Sequence, residues 1–153
     1  MNAIILYYSR SGNTEKLALR AAADLGLDAI KIEPEAAYGV YAASLLRVLK
    51  ERIAKVVPKF TTPIPNLSAY DTILLGYPIW AYDPPVFVSD FISQCNLVGK
   101  TVIPFSTSGG SHISCTMKTL ERIGGGATIL LPFNHGMRQK DDYAQWIGKL
   151  KTL

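Results

Sequence analysis

Six consecutive residues, Ser9-Arg10-Ser11-Gly12-Asn13-Thr14, place three hydroxyls and one amide around a single glycine. They lie between an apolar run, Ala3 to Tyr8, and an amphipathic pattern that starts near Asn13. A helix opening there aims unpaired backbone N–H groups, and the positive end of its dipole, at the loop. With the side-chain donors added, the loop is suited to a phosphate dianion. Gly12 lets the backbone turn tightly and approach its ligand. Helix capping alone would explain one such residue, but not Ser9, Ser11, Asn13 and Thr14 together.

Two further loops carry chemistry. Gly76-Tyr77-Pro78-Ile79-Trp80-Ala81-Tyr82-Asp83 presents aromatic rings on a segment stiffened by Pro78. Ser106-Thr107-Ser108-Gly109-Gly110-Ser111 offers glycine-exposed backbone and hydroxyls, which suit the polar edge of a planar heterocycle. A phosphate site beside a flat polar ring describes a mononucleotide, and the aromatic loop favours a flavin. Competing ligands fail on particular residues. No GxGxxG follows the first apolar run, which argues against a dinucleotide. Gly99-Lys100-Thr101 mimics the end of a Walker motif, but Gln94 stands where the motif needs glycine. The first loop has no cysteine for a thiol phosphatase, and no aspartate ends the first run for a phospho-acceptor. Cys95 and Cys115 have no metal-ligand spacing, so they read as reduced thiols and no metal site is expected. Cys115 falls at the start of a predicted helix, where a thiolate would be favoured.

The elements that must position these loops follow from periodicity. Ala3–Tyr8, Thr72–Tyr77, Thr101–Ser106 and Ala127–Leu131 are short, nearly continuous apolar runs. Such runs predict strands covered on both faces, hence a parallel sheet. Ala29–Ile32 makes a weaker fifth. Helices are predicted over Asn13–Leu25, Tyr41–Val57, from Pro84-Pro85, from Ser114 to Gly124, and from Asp141 or Asp142 onward. Their predicted core faces include Leu45, Leu46, Leu49, Ile53 and Val56 in the second, and Phe87, Val88, Phe91 and Ile92 in the third. The last buries Tyr143, Trp146, Ile147 and Leu150. Repeated β-α order implies an open α/β sandwich with right-handed crossovers. Residues 1–153 suit one domain. In such sheets ligands bind beyond the carboxyl ends of the strands, where all three special loops fall.

Composition narrows the classes. The chain is 48% hydrophobic and 18% charged, which predicts a globular protein and excludes disorder. No apolar run approaches the ~20 residues of a membrane span. With neither that nor a leader pattern, the expected location is cytoplasmic, away from membranes. The net charge is +4, but no basic stripe with interleaved aromatics suggests nucleic acid. Arg47, Lys50, Arg52 and Lys55 read as a solvated helix edge, with a docking surface as the minor reading.

Together the three loops resemble those of the flavodoxin family, over nearly the whole chain. Ser9–Thr14 matches the pattern (Ser/Thr)-x-(Ser/Thr)-Gly-Asn-Thr, and the other two loops resemble one branch of the family. The resemblance implies a flavodoxin-like three-layer sandwich whose five-stranded parallel sheet has the order 2-1-3-4-5. The last strand runs into Pro132-Phe133 without a large insertion, as in short-chain members. The resemblance also implies non-covalent FMN. Ser9, Ser11, Asn13 and Thr14 would hold its phosphate, with Arg10 and Gly12 completing the loop. Trp80 would cover one face of the isoalloxazine, framed by Pro78, Ile79, Ala81 and Tyr82. Ser106, Thr107, Ser108, Gly109 and Gly110 would meet the pyrimidine edge. His112 and His135 could each lie on the ligand side.

The implied function is electron transfer to a redox partner protein or a small-molecule acceptor, with the oligomeric state left open. The alternatives are a small NAD(P)H-dependent FMN oxidoreductase reducing quinones or similar acceptors, and a flavin-free interaction module. Two features set this chain apart from the family's usual pattern: it is basic where flavodoxins are acidic, and no glycine follows Trp80. A flipped peptide, which needs φ > 0, would be strained at Ala81, so one-electron-reduced flavin is expected to accumulate poorly.

Overall fold

Strand β1 (Ala3–Tyr7) is apolar at every position because both of its faces are covered. Ile4, Leu6 and Tyr8 point into one core, and Ala3, Ile5 and Tyr7 into the other. In this computed structural model the described residues are 1–39, 41–136 and 142–153, apart from the side chains of Tyr41, Ala42, Leu45 and Arg52. Around β1 the chain adds α1 (Asn13–Leu25), β2 (Ala29–Lys31), α2 (Tyr41–Ile53), β3 (Thr72–Pro78), α3 (Val86–Gln94) and β4 (Thr101–Ser108). A 3₁₀ turn (Ile113–Thr116) leads into α4 (Met117–Ile123), followed by β5 (Thr128–Ile129), β6 (Phe133–Gly136) and α5 (Tyr143–Leu150). The named strands pair in parallel, and the order is β2-β1-β3-β4-β5, with β6 also on β4. One core packs residues of α2, α3 and α4 on the sheet, and the other packs α1 and α5. This is the expected three-layer sandwich and strand order.

The fifth strand departs from the expected Ala127–Leu131. It is split into β5 and β6, and it runs on to Gly136. The cause is a pair of prolines. The amides of Thr128 and Leu130 donate to the carbonyls of Lys100 and Val102, at 2.9 and 3.0 Å. Continuing that alternation, the next donors would be Pro104 and then Pro132, and neither has an N–H. The ladder breaks there. Ile103 and Pro104 face three residues, Leu130, Leu131 and Pro132, before pairing resumes at Phe105 and Phe133. Leu131 takes φ 45° to absorb the extra residue, as in a bulge. The resumed strand carries Asn134 and His135 toward the carboxyl edge.

Helix α2 also differs. It ends at Ile53, and the chain leaves it through Lys55 at φ 53°, with Val56 N–H donating to the Glu51 carbonyl. Leu46, Leu49, Ile53 and Val56, expected in the core, are exposed. Among the described side chains of α2, the buried ones are Ser44, Val48 and Glu51. Glu51 tolerates burial because the Tyr38 hydroxyl donates to it at 2.8 Å and Arg47 Nε lies 2.7 Å away. Hydrophobicity alone could not pick out these three. The expectations for the Leu45 and Arg52 side chains and for Asp141 fall outside the described residues. The buried faces of α3 and α5 are the expected ones.

Gly76 fixes the approach of β3 to β4. A Cβ there would run into the Phe105 ring, and that ring is fully buried beside Trp146, at 5.8 Å. Gly76→Ala should therefore destabilise the fold by about 1–3 kcal/mol, despite the ~0.5–1 kcal/mol that alanine gains over glycine in a strand. A urea melt checks this. A midpoint at or above that of the parent would contradict the packing described.

Candidate functional site

At the carboxyl edge of β1, β3 and β4 a cavity of about 580 Å³ opens. That volume lies within the ~300–1,000 Å³ typical of small-molecule and cofactor sites. Ser9, Arg10, Ser11, Asn13 and Thr14 line one end, Pro78, Ile79 and Trp80 a wall, and Thr107, Ser108 and Gly109 another. The three loops thus meet in one space.

The first loop is shaped by Gly12, which sits at the N-cap of α1 with φ 88°. Ser9 Oγ accepts the Gly12 N–H at 3.1 Å, so this hydroxyl helps fold the loop and keeps its proton for a further acceptor. Among the described residues no side chain caps α1, which leaves its first-turn amides aimed at the cavity end. Ser11 and Asn13 are exposed there. Arg10 is half-buried and donates from Nη1 to the Gly39 carbonyl at 3.1 Å. Thr14 is almost wholly buried, and its hydroxyl shares a 2.8 Å hydrogen bond with that of Thr107. It joins the first loop to the third as well as lining the cavity.

The second loop is a tight hairpin. Trp80 N–H donates to the Asp83 carbonyl at 2.9 Å, and Asp83 N–H returns to Trp80 at 3.2 Å. The two residues between, Ala81 and Tyr82, have φ 49° and 67°. Consecutive positive φ values define a type I′ turn, which favours Asn-Gly. The left-handed backbone judged strained at Ala81 from sequence is the conformation already adopted, and Tyr82 shares it. Trp80 is only 8% exposed, packed edge-on against Tyr38 at 4.9 Å and Tyr8 at 5.6 Å. It is a core residue that also presents a cavity wall. Tyr82 is 72% exposed, and neither it nor Ala81 lines the cavity.

In the third loop, Thr107 accepts the Ile79 N–H at its carbonyl, at 2.9 Å. Ser108 Oγ donates to the Ser111 carbonyl and closes the turn. Ser106 is fully buried and donates to Asn134 Oδ1, so it anchors β6 and does not line the cavity. Gly110 also lies off the lining. The two histidines separate. His135 lines the cavity, whereas His112 Nδ1 accepts the Ser114 N–H at 3.2 Å and lines a different pocket.

Five lining residues escaped the sequence: Lys16, Leu17, Arg20, Gly136 and Tyr143. Lys16 and Arg20 stand one helical turn apart on α1, a spacing visible in the sequence, but their neighbour Tyr143 comes from the far end of the chain. The Arg20 guanidinium stacks 3.8 Å above the Tyr143 ring. The Tyr143 hydroxyl donates to Asp24 at 2.8 Å, and burial plus that carboxylate raise its pKa. Partial desolvation raises the pKa of the Cys115 thiol, although the residue is exposed, opposite to the thiolate expected from its helix position. Among the described residues no cluster of three or more His, Cys, Asp or Glu could hold a metal ion, and no helix is long and apolar enough to cross a membrane.

A parallel sheet of order 2-1-3-4-5 with helices on both faces and a cavity at its carboxyl switch point defines the flavodoxin-like class of α/β proteins. Within it the chain belongs to the flavodoxin family, whose model matches residues 2–150. No curated protein sequence matches it. A putative flavoprotein from Bacteroides uniformis ATCC 8492 is 29% identical, with 96% of this chain and 97% of that one covered and a TM-score of 0.84. A flavoprotein from Lactobacillus acidophilus NCFM, solved in complex with FMN, is 19% identical over 95% and 97% of the two chains, with a TM-score of 0.76. An NADH:FMN oxidoreductase in its apo form shares the fold at 18% identity, 99% and 88% coverage and a TM-score of 0.59.

The strain in the second loop is measurable. Two non-glycine residues in the left-handed region cost about 1–2 kcal/mol each. The double substitution Ala81→Asn, Tyr82→Gly should therefore raise stability by about 1–3 kcal/mol. An unchanged or lowered urea midpoint would show that Ala81 and Tyr82 carry no such strain.

Proposed function

We propose that this chain binds FMN non-covalently and acts as an electron-transfer protein, exchanging electrons with a redox partner protein or a small acceptor. The observation that carries the reading is the chemical division of the cavity. One end offers hydroxyls, an amide and the uncapped start of α1, and Ile79 and Trp80 supply an apolar wall. A phosphate ester joined to an apolar-faced, polar-edged ring needs that division, and family membership supports the same ligand.

The roles divide among the residues. Ser9, Ser11, Asn13 and the first-turn amides of α1 would hold the phosphate, with Gly12 shaping their loop. Pro78, Ile79 and Trp80 would shelter the ring from water, and Thr107, Ser108 and Gly109 would meet its polar edge. Arg10 adds positive charge at the phosphate end, whereas Ala81, Tyr82, Ser106 and Gly110 support the loops from outside the lining. FMN supplies one- and two-electron chemistry, and the surrounding stacking, hydrogen bonds and charge tune its potential. The two cysteines among the described residues are free thiols, which suits a cytoplasmic location.

A second reading rests on Lys16 and Arg20, which add two cations to the lining beyond the phosphate loop. They could receive the anionic part of NAD(P)H, as a small FMN-dependent oxidoreductase reducing quinones requires. Rapid flavin bleaching by NADPH, with quinone turnover, would favour that enzyme over the carrier.

Fluorescence titration tests ligand identity. FMN should bind far more tightly than riboflavin, and Ser11→Ala or Asn13→Ala should each weaken FMN by about 10- to 100-fold, the loss of one hydrogen bond to a charged group. Riboflavin binding should barely change. Equal losses for both ligands, or no binding of FMN by the parent chain, would overturn the proposal.

A further inference from the structure

The outer face of α2 is unexplained by the cavity. Leu46 is 62% and Ile53 83% exposed, with Leu49, Val56 and Val57 also open to solvent. They recur every three or four residues, so they form one stripe along the helix and its exit. Leu46 and Val56 of the stripe, with Ala54, also line a shallow groove of about 540 Å³, edged by Arg47, Lys50 and Glu51. A contiguous apolar stripe of this kind marks an interaction surface.

Charge says what covers it. Residues 41–60 hold five basic residues and one acidic residue, a net of +4. The other 133 residues hold eleven of each sign, so the whole basic excess of the chain lies in this one segment. Its single acid, Glu51, is buried against Arg47 and Tyr38 and does not offset the surface charge. A second copy of the chain would bring cations against cations. A bilayer presents a broad surface that would leave the concave groove unfilled. An amphipathic helix with an acidic flank satisfies both features, because its apolar side chains enter the groove while its carboxylates meet Lys50 and the other basic residues of the segment.

We propose that α2 docks a partner protein through such an acidic, leucine-bearing helix. The face has a short physical link to the cavity. The Arg47 guanidinium lies 4.0 Å over the Tyr38 ring, and that ring is 4.9 Å from Trp80, which lines the cavity. If the cavity holds flavin, as proposed above, the docked partner stands two ring contacts from its wall. The docking itself does not depend on that reading.

The test is an NMR titration of the ¹⁵N-labelled full chain, with and without FMN. The probe is a designed helical peptide of about four turns, with leucine at i, i+3, i+4 and i+7 and glutamate on its flanks. A matched peptide carries lysine in place of glutamate. The acidic peptide should shift amides of residues 43–57 and saturate, with or without FMN, and the lysine peptide should shift none. Leu46→Gln with Ile53→Gln should weaken binding by about 10-fold or more. Raising salt from about 50 to about 500 mM should weaken it as well. No shifts on α2, or equal binding by the double variant, would overturn the proposal. So would binding to vesicles of phosphatidylglycerol and phosphatidylcholine in place of the peptide, or a dimer in sedimentation that Ile53→Gln dissociates. A flavin-free chain that still binds the peptide would separate this claim from the one about the cofactor.

Discussion

Thr107 is the point on which the site depends. Its hydroxyl bonds that of Thr14, its carbonyl accepts the Ile79 N–H, and its place on β4 sets it opposite Pro78 on one side and His135 on the other. One residue therefore links the phosphate-type loop, the tryptophan loop and the last strand. Both hydroxyls of the Thr14–Thr107 pair are buried, and either one left alone would be an unsatisfied polar group costing about 1–3 kcal/mol. The pairing holds the start of α1 at a fixed distance from the end of β4. The cavity is the space that this constraint leaves open.

The backbone stores strain around that space. Ala81, Tyr82 and Leu131 all occupy the left-handed region, the first two at the hairpin beside Trp80 and the third at the bulge that feeds β6. Such strain persists only where surrounding structure over-determines it. Trp80 is gripped by Tyr8 and Tyr38, and the bulge is forced by two prolines, so both sites meet that condition. Charge is likewise uneven. Outside residues 41–60 the two signs balance along the sequence, yet Arg10, Lys16 and Arg20 give the cavity lining, among the described residues, three cations and no carboxylate.

Much of this was legible in the sequence, and the failures have physical causes. The three loops, the parallel strands and the core faces of α3 and α5 follow from local pattern, because fully buried parallel strands and glycine-containing loops are written in neighbouring residues; the strand order came from the family resemblance. The split of the last strand was not, since it needs Pro104 and Pro132 to face each other across the sheet. The orientation of α2 was misread because its buried strip contains Glu51 and Ser44, polar groups made tolerable by partners distant in the chain. Arg20 and Tyr143 share the cavity only through tertiary contact. Ser106 belongs to the motif yet turns away from the cavity, because Asn134, brought in by β6, takes its hydroxyl.

The most direct test of the account is a crystal structure of the chain grown with excess FMN. The phosphate should lie within hydrogen-bonding distance of Ser11, Asn13 and the first amides of α1, with the ring against Trp80 and its polar edge at Thr107 to Gly109. A cavity holding only solvent, or a ligand with its phosphate at the tryptophan hairpin, would contradict it.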